Sequence, residues 1–214
     1  MENAFEDVGI WLTNTDMPHG KKQVIKASLK LFSEQGYDGT STAQIAKSSG
    51  MSQATIFKYF KSKEELLLFI IEPIIEHILP AYGKEFATDV AQNNQSLNSL
   101  IHFIITNRFN FLVQNKDAAI ILFSQVMIND KVKNLLLKKI ASLKGMFVKN
   151  IWQVLQETGE MRTDIDMIQF VRLVASQLYF YFLQSQRIIP TADKAQIQTD
   201  LSNIENMILR AVRK

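Results

Sequence analysis

A chain of 214 residues, 47% of them apolar, has enough material to bury a core and fits one small domain plus a larger one. It has no cysteine, which excludes disulfides, thiolate chemistry and cysteine zinc sites. Its three histidines (His19, His77, His102) show no metal-ligand spacing, and its net charge is only +3. With no glycine-rich phosphate loop and no Ser/His/Asp set in recognisable context, the chain reads as a binding protein without cofactor or metal, not an enzyme.

Residues 1–20 read as an arm with four acids (Glu2, Glu6, Asp7, Asp16) and no Lys or Arg. The arm lacks the basic-then-apolar order of a signal peptide and is too acidic to suit a minor groove. Its small apolar knot, Val8, Ile10, Trp11 and Leu12, receives no role. Residues 21–63 reverse the sign: eight lysines against Glu34 and Asp38 give +6. A positive segment followed by a near-neutral body is what counterion release from phosphate requires.

Residues 21–36 predict a helix with Ile25, Leu29 and Phe32 on one face, widened by Val24, Ala27 and Leu31 and stopped by Gly36. Ser41 and Gln44 have capping-box spacing for a second helix, in which Ile45 and Ala46 face inward. Gly50 supplies the left-handed residue that ends it. Ser52 caps a third helix with Ile56 and Phe60 turned inward at a spacing of four. Its outward face is Gln53, Ala54, Thr55, Phe57, Lys58 and Tyr59, short or polar groups near a helix start that suit a major groove. Residues 41–60 therefore predict a helix–turn–helix. Ser62 and Glu65 repeat the capping-box spacing and open a helix through Leu66, Leu67, Phe69 and Ile70.

Ala27, Leu29, Leu31 and Phe32, then Gly36-Tyr37, Ser41-Thr42, Ile45-Ala46, Gly50-Met51-Ser52, Thr55 to Phe60 and Ser62 to Leu66 together resemble the TetR/AcrR family. The resemblance is dense and ungapped but spans about a fifth of the chain. It implies a one-component bacterial repressor that dimerises through its last two long helices and releases DNA when a small molecule binds. Phe57 departs from the pattern, because the family more often has a tyrosine whose hydroxyl meets a phosphate.

Within the head, Gln53 is the candidate for two-point bonding to an adenine edge, and Ala54 and Thr55 admit close approach. Phe57 is left with apolar contacts, such as a thymine methyl. Lys58 is expected at a phosphate. Thr42 and Lys63, each near a helix N-terminus, are expected to hold the DNA backbone. Tyr59 either bonds phosphate or packs on a neighbouring helix, and Ser52 either caps its helix or meets DNA.

Beyond the head the pattern stays helical. Pro73 predicts a kink or restart, Pro80 a loop running through Gly83, and Gln92–Ser96 another connection. Helices are expected over 97–113, near 118–128, and after Asn129-Asp130 along Val132, Leu136, Ile140, Leu143, Phe147, Ile151 and Leu155. The run Leu66 to Leu79, broken by Glu72, Pro73, Glu76 and His77, reads as too short and too charged to span a bilayer. His102, Phe103, Arg108, Phe123, Phe147, Trp152 and Tyr179 are candidates for an aromatic-walled ligand pocket, with ordinary core packing as the alternative. On the last two helices, Ala175, Leu178, Tyr181, Phe182, Ile197, Leu201, Ile204 and Ile208 are candidates for a dimer interface, with intrachain core as the alternative.

The whole reading is an all-α chain with an arm (1–20), a three-helix DNA-binding head (21–66, motif 41–60) and a larger helical ligand-binding and dimerisation domain (67–214). It describes a cytoplasmic, sequence-specific transcriptional regulator that binds a pseudo-palindromic double-stranded operator as a homodimer. Repression relieved by a small lipophilic or aromatic ligand is the principal expectation. A DNA-binding activator or architectural regulator with no small-molecule effector is the alternative.

Overall fold

The computed structural model describes residues 15–92, 96–191 and 193–214. The apolar knot of the arm and most of the connection expected at 92–96 lie outside them. The described residues form α1 (His19–Gln35), α2 (Thr42–Ser49), α3 (Gln53–Tyr59), α4 (Lys63–Pro73), α5 (Leu79–Gln92), α6 (Leu97–Gln114), α7 (Lys116–Ile128), α8 (Asp130–Phe147), α9 (Gln153–Glu157), α10 (Met167–Leu183) and α11 (Lys194–Val212). Short π-helical turns follow α4, α8 and α10 at Ile74–Ile78, Val148–Trp152 and Gln184–Ile188. No strand is present among these residues, only an isolated bridge between Met161 and Arg213.

Two compact units emerge. The first combines Met1–Tyr82 with Gln114–Ser142. Its core is the apolar set expected from the helical spacing: Val24, Ile25, Phe32, Ile45, Ile56, Phe60, Leu66, Leu67, Ile70 and Ile71 are all essentially buried. Ile121 and Leu122 of α7 join the same cluster, so α1 packs not only on α2, α3 and α4 but on a helix eighty residues further along.

The long apolar segment after the head departs from expectation. Pro80 does not begin a loop; it is the second residue of α5, and helix is unbroken from Lys63 to Gln92. That run is long and apolar enough to cross a membrane by composition. Its apolar side chains from Leu66 to Ile78, however, fill the first unit's core. Two prolines are tolerated because the ladder changes at the π-turn, where the Leu79 N–H bonds Ile74 O instead of the carbonyl four residues back. Pro80 has no N–H to offer the Glu76 carbonyl one turn earlier. Lys139 of α8 substitutes: its Nζ lies 3.5 Å from Glu76 O and 2.5 Å from the Glu76 carboxylate.

Asn129 caps α8 as expected, its Oδ1 accepting from the Lys131 and Val132 N–H groups. The stripe expected along α8 is only partly internal. Val132 and Ile151 are buried, whereas Ile140 is 54% exposed. A strict four-residue step drifts around a 3.6-residue helix, and the π-turn resets the face before Ile151.

The second unit, Gly83–Val113 with Leu143–Lys214, packs α10 against α11. Its core includes Leu100, Ile101, Ile105, Phe109, Phe170, Phe182, Leu201 and Ile208. Glu160 ties three segments together. Its Oε1 accepts from the Leu97 N–H at the start of α6 (2.9 Å), its carboxylate pairs with Arg213 (3.1 Å), and its carbonyl accepts from the Lys214 N–H (3.0 Å). Asp166 and Gln169 make a capping box for α10 that sequence reading had passed over.

Candidate nucleic-acid interface

The helix–turn–helix is assembled by its caps. The Ser41 hydroxyl accepts from the Gln44 N–H (3.2 Å), and Gln44 Oε1 accepts from the Ser41 N–H (2.7 Å), closing the expected capping box. Gly50 takes φ 69°, the left-handed conformation that lets the chain leave α2 at once. Ser52 then caps α3, its Oγ accepting from the Thr55 N–H at 3.0 Å and lying 2.9 Å from Thr55 Oγ1. Both serine hydroxyls are thus engaged inside the protein. Ser62 caps α4 through the Glu65 N–H, but Glu65 reaches back to the Lys61 N–H rather than to Ser62.

Ile56 and Phe60 anchor α3 from behind, both essentially buried. That leaves Gln53, Ala54, Phe57 and Lys58 exposed. Positions 53, 54, 57 and 58 are related by three- and four-residue steps, so they form one outward surface. Tyr59 lies elsewhere. It is half-buried, and a Cβ on Gly20 would come within 3.1 Å of its Oη, so the absence of a side chain there lets the phenol lie against the start of α1.

Two of the eight head lysines are turned to internal work. The Lys63 ammonium donates to the carbonyls of Tyr37 (2.8 Å) and Thr40 (2.9 Å) and sits 4.1 Å from the centre of the Tyr37 ring. It latches the α1–α2 turn to α4. Lys21 Nζ stands 4.0 Å from the Phe69 ring centre and 5.1 Å from that of Phe60. Burial, with Glu64 and Asp38 adding repulsion, holds the Tyr37 phenol above its usual pKa. Lys26, Lys30, Lys47, Lys58 and Lys61 remain exposed and carry the positive surface.

The ligand-pocket candidates are distributed over both units. Phe123 belongs to the first unit and the other six to the second. His102 points outward, its side chain 56% exposed and its Nδ1 2.9 Å from Glu205. Phe103 stacks on Phe86 (centroids 5.9 Å), and the Arg108 guanidinium lies 3.7 Å from the centre of the same Phe86 ring. Trp152 leans on Phe170, and burial raises the pKa of the half-buried Tyr179. Sequence reading missed Thr106, on the same helix as Phe103 and Arg108. Its hydroxyl oxygen is buried with no hydrogen-bond partner.

The dimer candidates need a larger revision. Leu178, Tyr181, Phe182, Leu201, Ile204 and Ile208 are buried within the chain itself. The cause is mutual packing: α10 and α11 turn these stripes toward the chain's own core. Tyr181 also meets the Phe109 ring and donates to Asp200 at 2.9 Å, and burial followed by that acceptor raises its pKa. Of the eight, only Ala175 and Ile197 keep accessible surface, joined on these helices by the exposed Ile168, Val171, Phe180 and Met207.

A helical chain with a capped helix–turn–helix presenting a polar, cationic face is a DNA-binding regulator in architecture. Residues 24–70 match the family described as bacterial regulatory proteins, tetR family. It is 27% identical over 205 residues to the transcriptional repressor NicS of Pseudomonas putida, covering 91% of this chain and 92% of that protein. Among solved structures, the ketosteroid transcriptional regulator KstR2 of Mycobacterium tuberculosis superposes with a TM-score of 0.66 at 15% identity, over 91% of this chain and 95% of that one. The regulator FadR of Bacillus subtilis, in complex with stearoyl-CoA, superposes with a TM-score of 0.55 at 16% identity, over 88% and 95%. Regulators of this family bind operator DNA as dimers and respond to small-molecule effectors.

Proposed function

We propose that this chain is a cytoplasmic repressor that occupies a pseudo-palindromic operator as a homodimer and is released by a small lipophilic or aromatic ligand. The observation that carries the DNA reading is the outward surface of α3, where Gln53, Ala54, Phe57 and Lys58 are exposed while Ile56 and Phe60 fix the helix from behind. Gln53 reads a base edge, Lys58 meets phosphate, and Ala54 and Thr55 permit close approach. Ser52 and Thr42 act through the helix ends they shape, and Lys63 through its backbone N–H. Tyr59 bonds phosphate only if its hydroxyl leaves the start of α1.

A homodimer doubles the few base contacts that so small a head can make. The exposed apolar groups on α10 and α11, Ala175, Ile168, Val171, Phe180 and Met207, with the half-buried Ile197, are the surface available for it. The effector reading is supported by the Phe86–Phe103–Arg108 cluster and by the unpartnered Thr106 hydroxyl, a polar group suited to orienting a mainly apolar ligand. It is supported also by the ketosteroid and acyl-CoA regulators among the structural neighbours. The chain works by binding and not by turnover. Release requires a coupling of only about 1–3 kcal/mol between ligand and DNA sites.

Selection of random duplexes by the purified protein, followed by fluorescence anisotropy with a panel of lipophilic compounds, tests this. A two-fold symmetric site that a compound displaces is the expected result; no enrichment at low salt overturns the DNA reading. On the selected site, Gln53→Ala is expected to lose about 1–3 kcal/mol of discrimination at one base pair. Equal losses on specific and scrambled DNA reject that role.

A further inference from the structure

We propose that Phe57 recognises the C5-methyl group of a pyrimidine in the operator half-site, a thymine in ordinary DNA. This rests on the DNA-reading role of α3 proposed above. Among the described residues from 15 to 82, Phe57 is the one large apolar side chain left exposed, at 48%; every other Phe, Ile, Leu, Val and Met there is buried or half-buried. It does not belong to the head's apolar cluster, which closes around Ile56 and Phe60 on either side of it in the chain. Its place is in the middle of the outward surface, one turn beyond Gln53 and Ala54 and next to Lys58. Ala54 three residues earlier is too small to screen it, so the two make an apolar spot flanked by an amide and an ammonium.

A phenyl ring has no hydrogen-bond donor and only a weakly accepting face, so it cannot read the polar edges of bases. Of the groups that base pairs display in the major groove, the C5-methyl of thymine is the apolar one. Bringing the ring to that methyl removes both from water, while a cytosine or purine at the same place offers a polar edge instead. The flanking Gln53 and Lys58 suit the rest of the pattern, an adjacent base edge and the phosphate backbone. 5-Methylcytosine carries the same methyl at the same position and should stand in for thymine there.

The experiment uses the full chain and the duplex it selects. Each thymine in one half-site is replaced in turn by deoxyuridine, which deletes only the methyl, and binding is measured by anisotropy. One position is expected to weaken binding about fourfold, the equivalent of one buried methylene, and the symmetry-related position in the other half-site to do the same. Phe57→Ala should bind the thymine and uracil duplexes equally, with a melting temperature like that of the parent. Replacing the sensitive T·A pair by C·G should weaken binding, and methylating that cytosine at C5 should recover about fourfold. The inference is overturned if every thymine tolerates uracil, if the sensitivity survives in Phe57→Ala, if cytosine methylation recovers nothing, or if the half-site holds no thymine. Failure to select any site would sink the DNA reading itself, and this inference with it; a selected site insensitive to uracil sinks this inference alone.

Discussion

The helix–turn–helix and the α10–α11 pair are both built from apolar stripes, yet they differ in what decides which side chains face inward. In the helix–turn–helix, neighbours three or four residues apart decide most of it: Ser41 with Gln44, Ser52 with Thr55, Ile56 with Phe60. In α10, consecutive residues Phe180, Tyr181 and Phe182 have opposite fates. Phe182 is fully buried and Phe180 is 62% exposed, and Tyr181 is settled by Asp200 nineteen residues on and by Phe109 on α6. Local capping fixes the first region; long-range packing fixes the second.

The sharpest test of that contrast is the pair of neighbouring phenylalanines. Phe182→Ala should cost about 3–5 kcal/mol of unfolding free energy, since it opens a cavity in a closed core. Phe180→Ala opens no cavity in the chain's own core, so at concentrations low enough to keep the chain monomeric it should stay within about 0.5 kcal/mol. Chemical denaturation of both variants decides the matter, and similar losses would mean that α10 is not oriented as described.

A second test separates two lysines of the head. Lys63→Ala removes the donor to two backbone carbonyls and should cost about 1–2 kcal/mol of stability. Lys58→Ala, at an exposed position, should leave stability alone but lower the slope of log affinity against log salt by about one. If Lys63→Ala flattened the salt dependence as strongly as Lys58→Ala, its ammonium would be meeting phosphate and the internal latch would be secondary. Capping gives a smaller and more even effect: Ser41→Ala in the head and Asp166→Ala at α10 should each cost about 1 kcal/mol. A much larger loss at either would show that the serine or aspartate does more than cap.

These contrasts explain what the sequence made legible. The helix starts at Ser41, Ser52, Ser62 and Asn129, the stop at Gly50 and the inward set of the head were readable because each rule involves residues within a turn of one another. The fate of Lys63 was not, because the carbonyls of Tyr37 and Thr40 that hold it come from a turn more than twenty residues earlier. Nor was the division of the α10 and α11 stripes, since periodicity marks a face as apolar without saying whether the same chain or another covers it. His102 illustrates the same blindness: its surface pairing with Glu205 bridges 103 residues. Thr106 left no local signal at all, because an unpartnered hydroxyl is a property of its surroundings.

Pro80 continues a helix where its local sequence predicts a break, and the reason is again a distant partner. A proline so close after Pro73 reads as a break because its ring removes a ladder donor. The donor is replaced from α8: Lys139 reaches the Glu76 carbonyl and, with a hydrogen bond as the largest influence, holds the Glu76 carboxyl below its ordinary value of 4.5. A carboxyl depressed in the folded state contributes stability that is fully present above the unfolded value and disappears as pH falls through the folded one. The difference in melting temperature between the parent and Glu76→Gln should therefore be constant near neutrality and shrink on acidification below about pH 4.5. Lys139→Met should lower the melting temperature by about 2–4 °C at neutral pH. In a Pro80→Ala background the restored N–H can serve the Glu76 carbonyl, so Lys139→Met should there lose only the ion pair and cost less. An equal cost in both backgrounds would show that Lys139 is merely a salt-bridge partner, and that the helix passes Pro80 without needing a substitute donor.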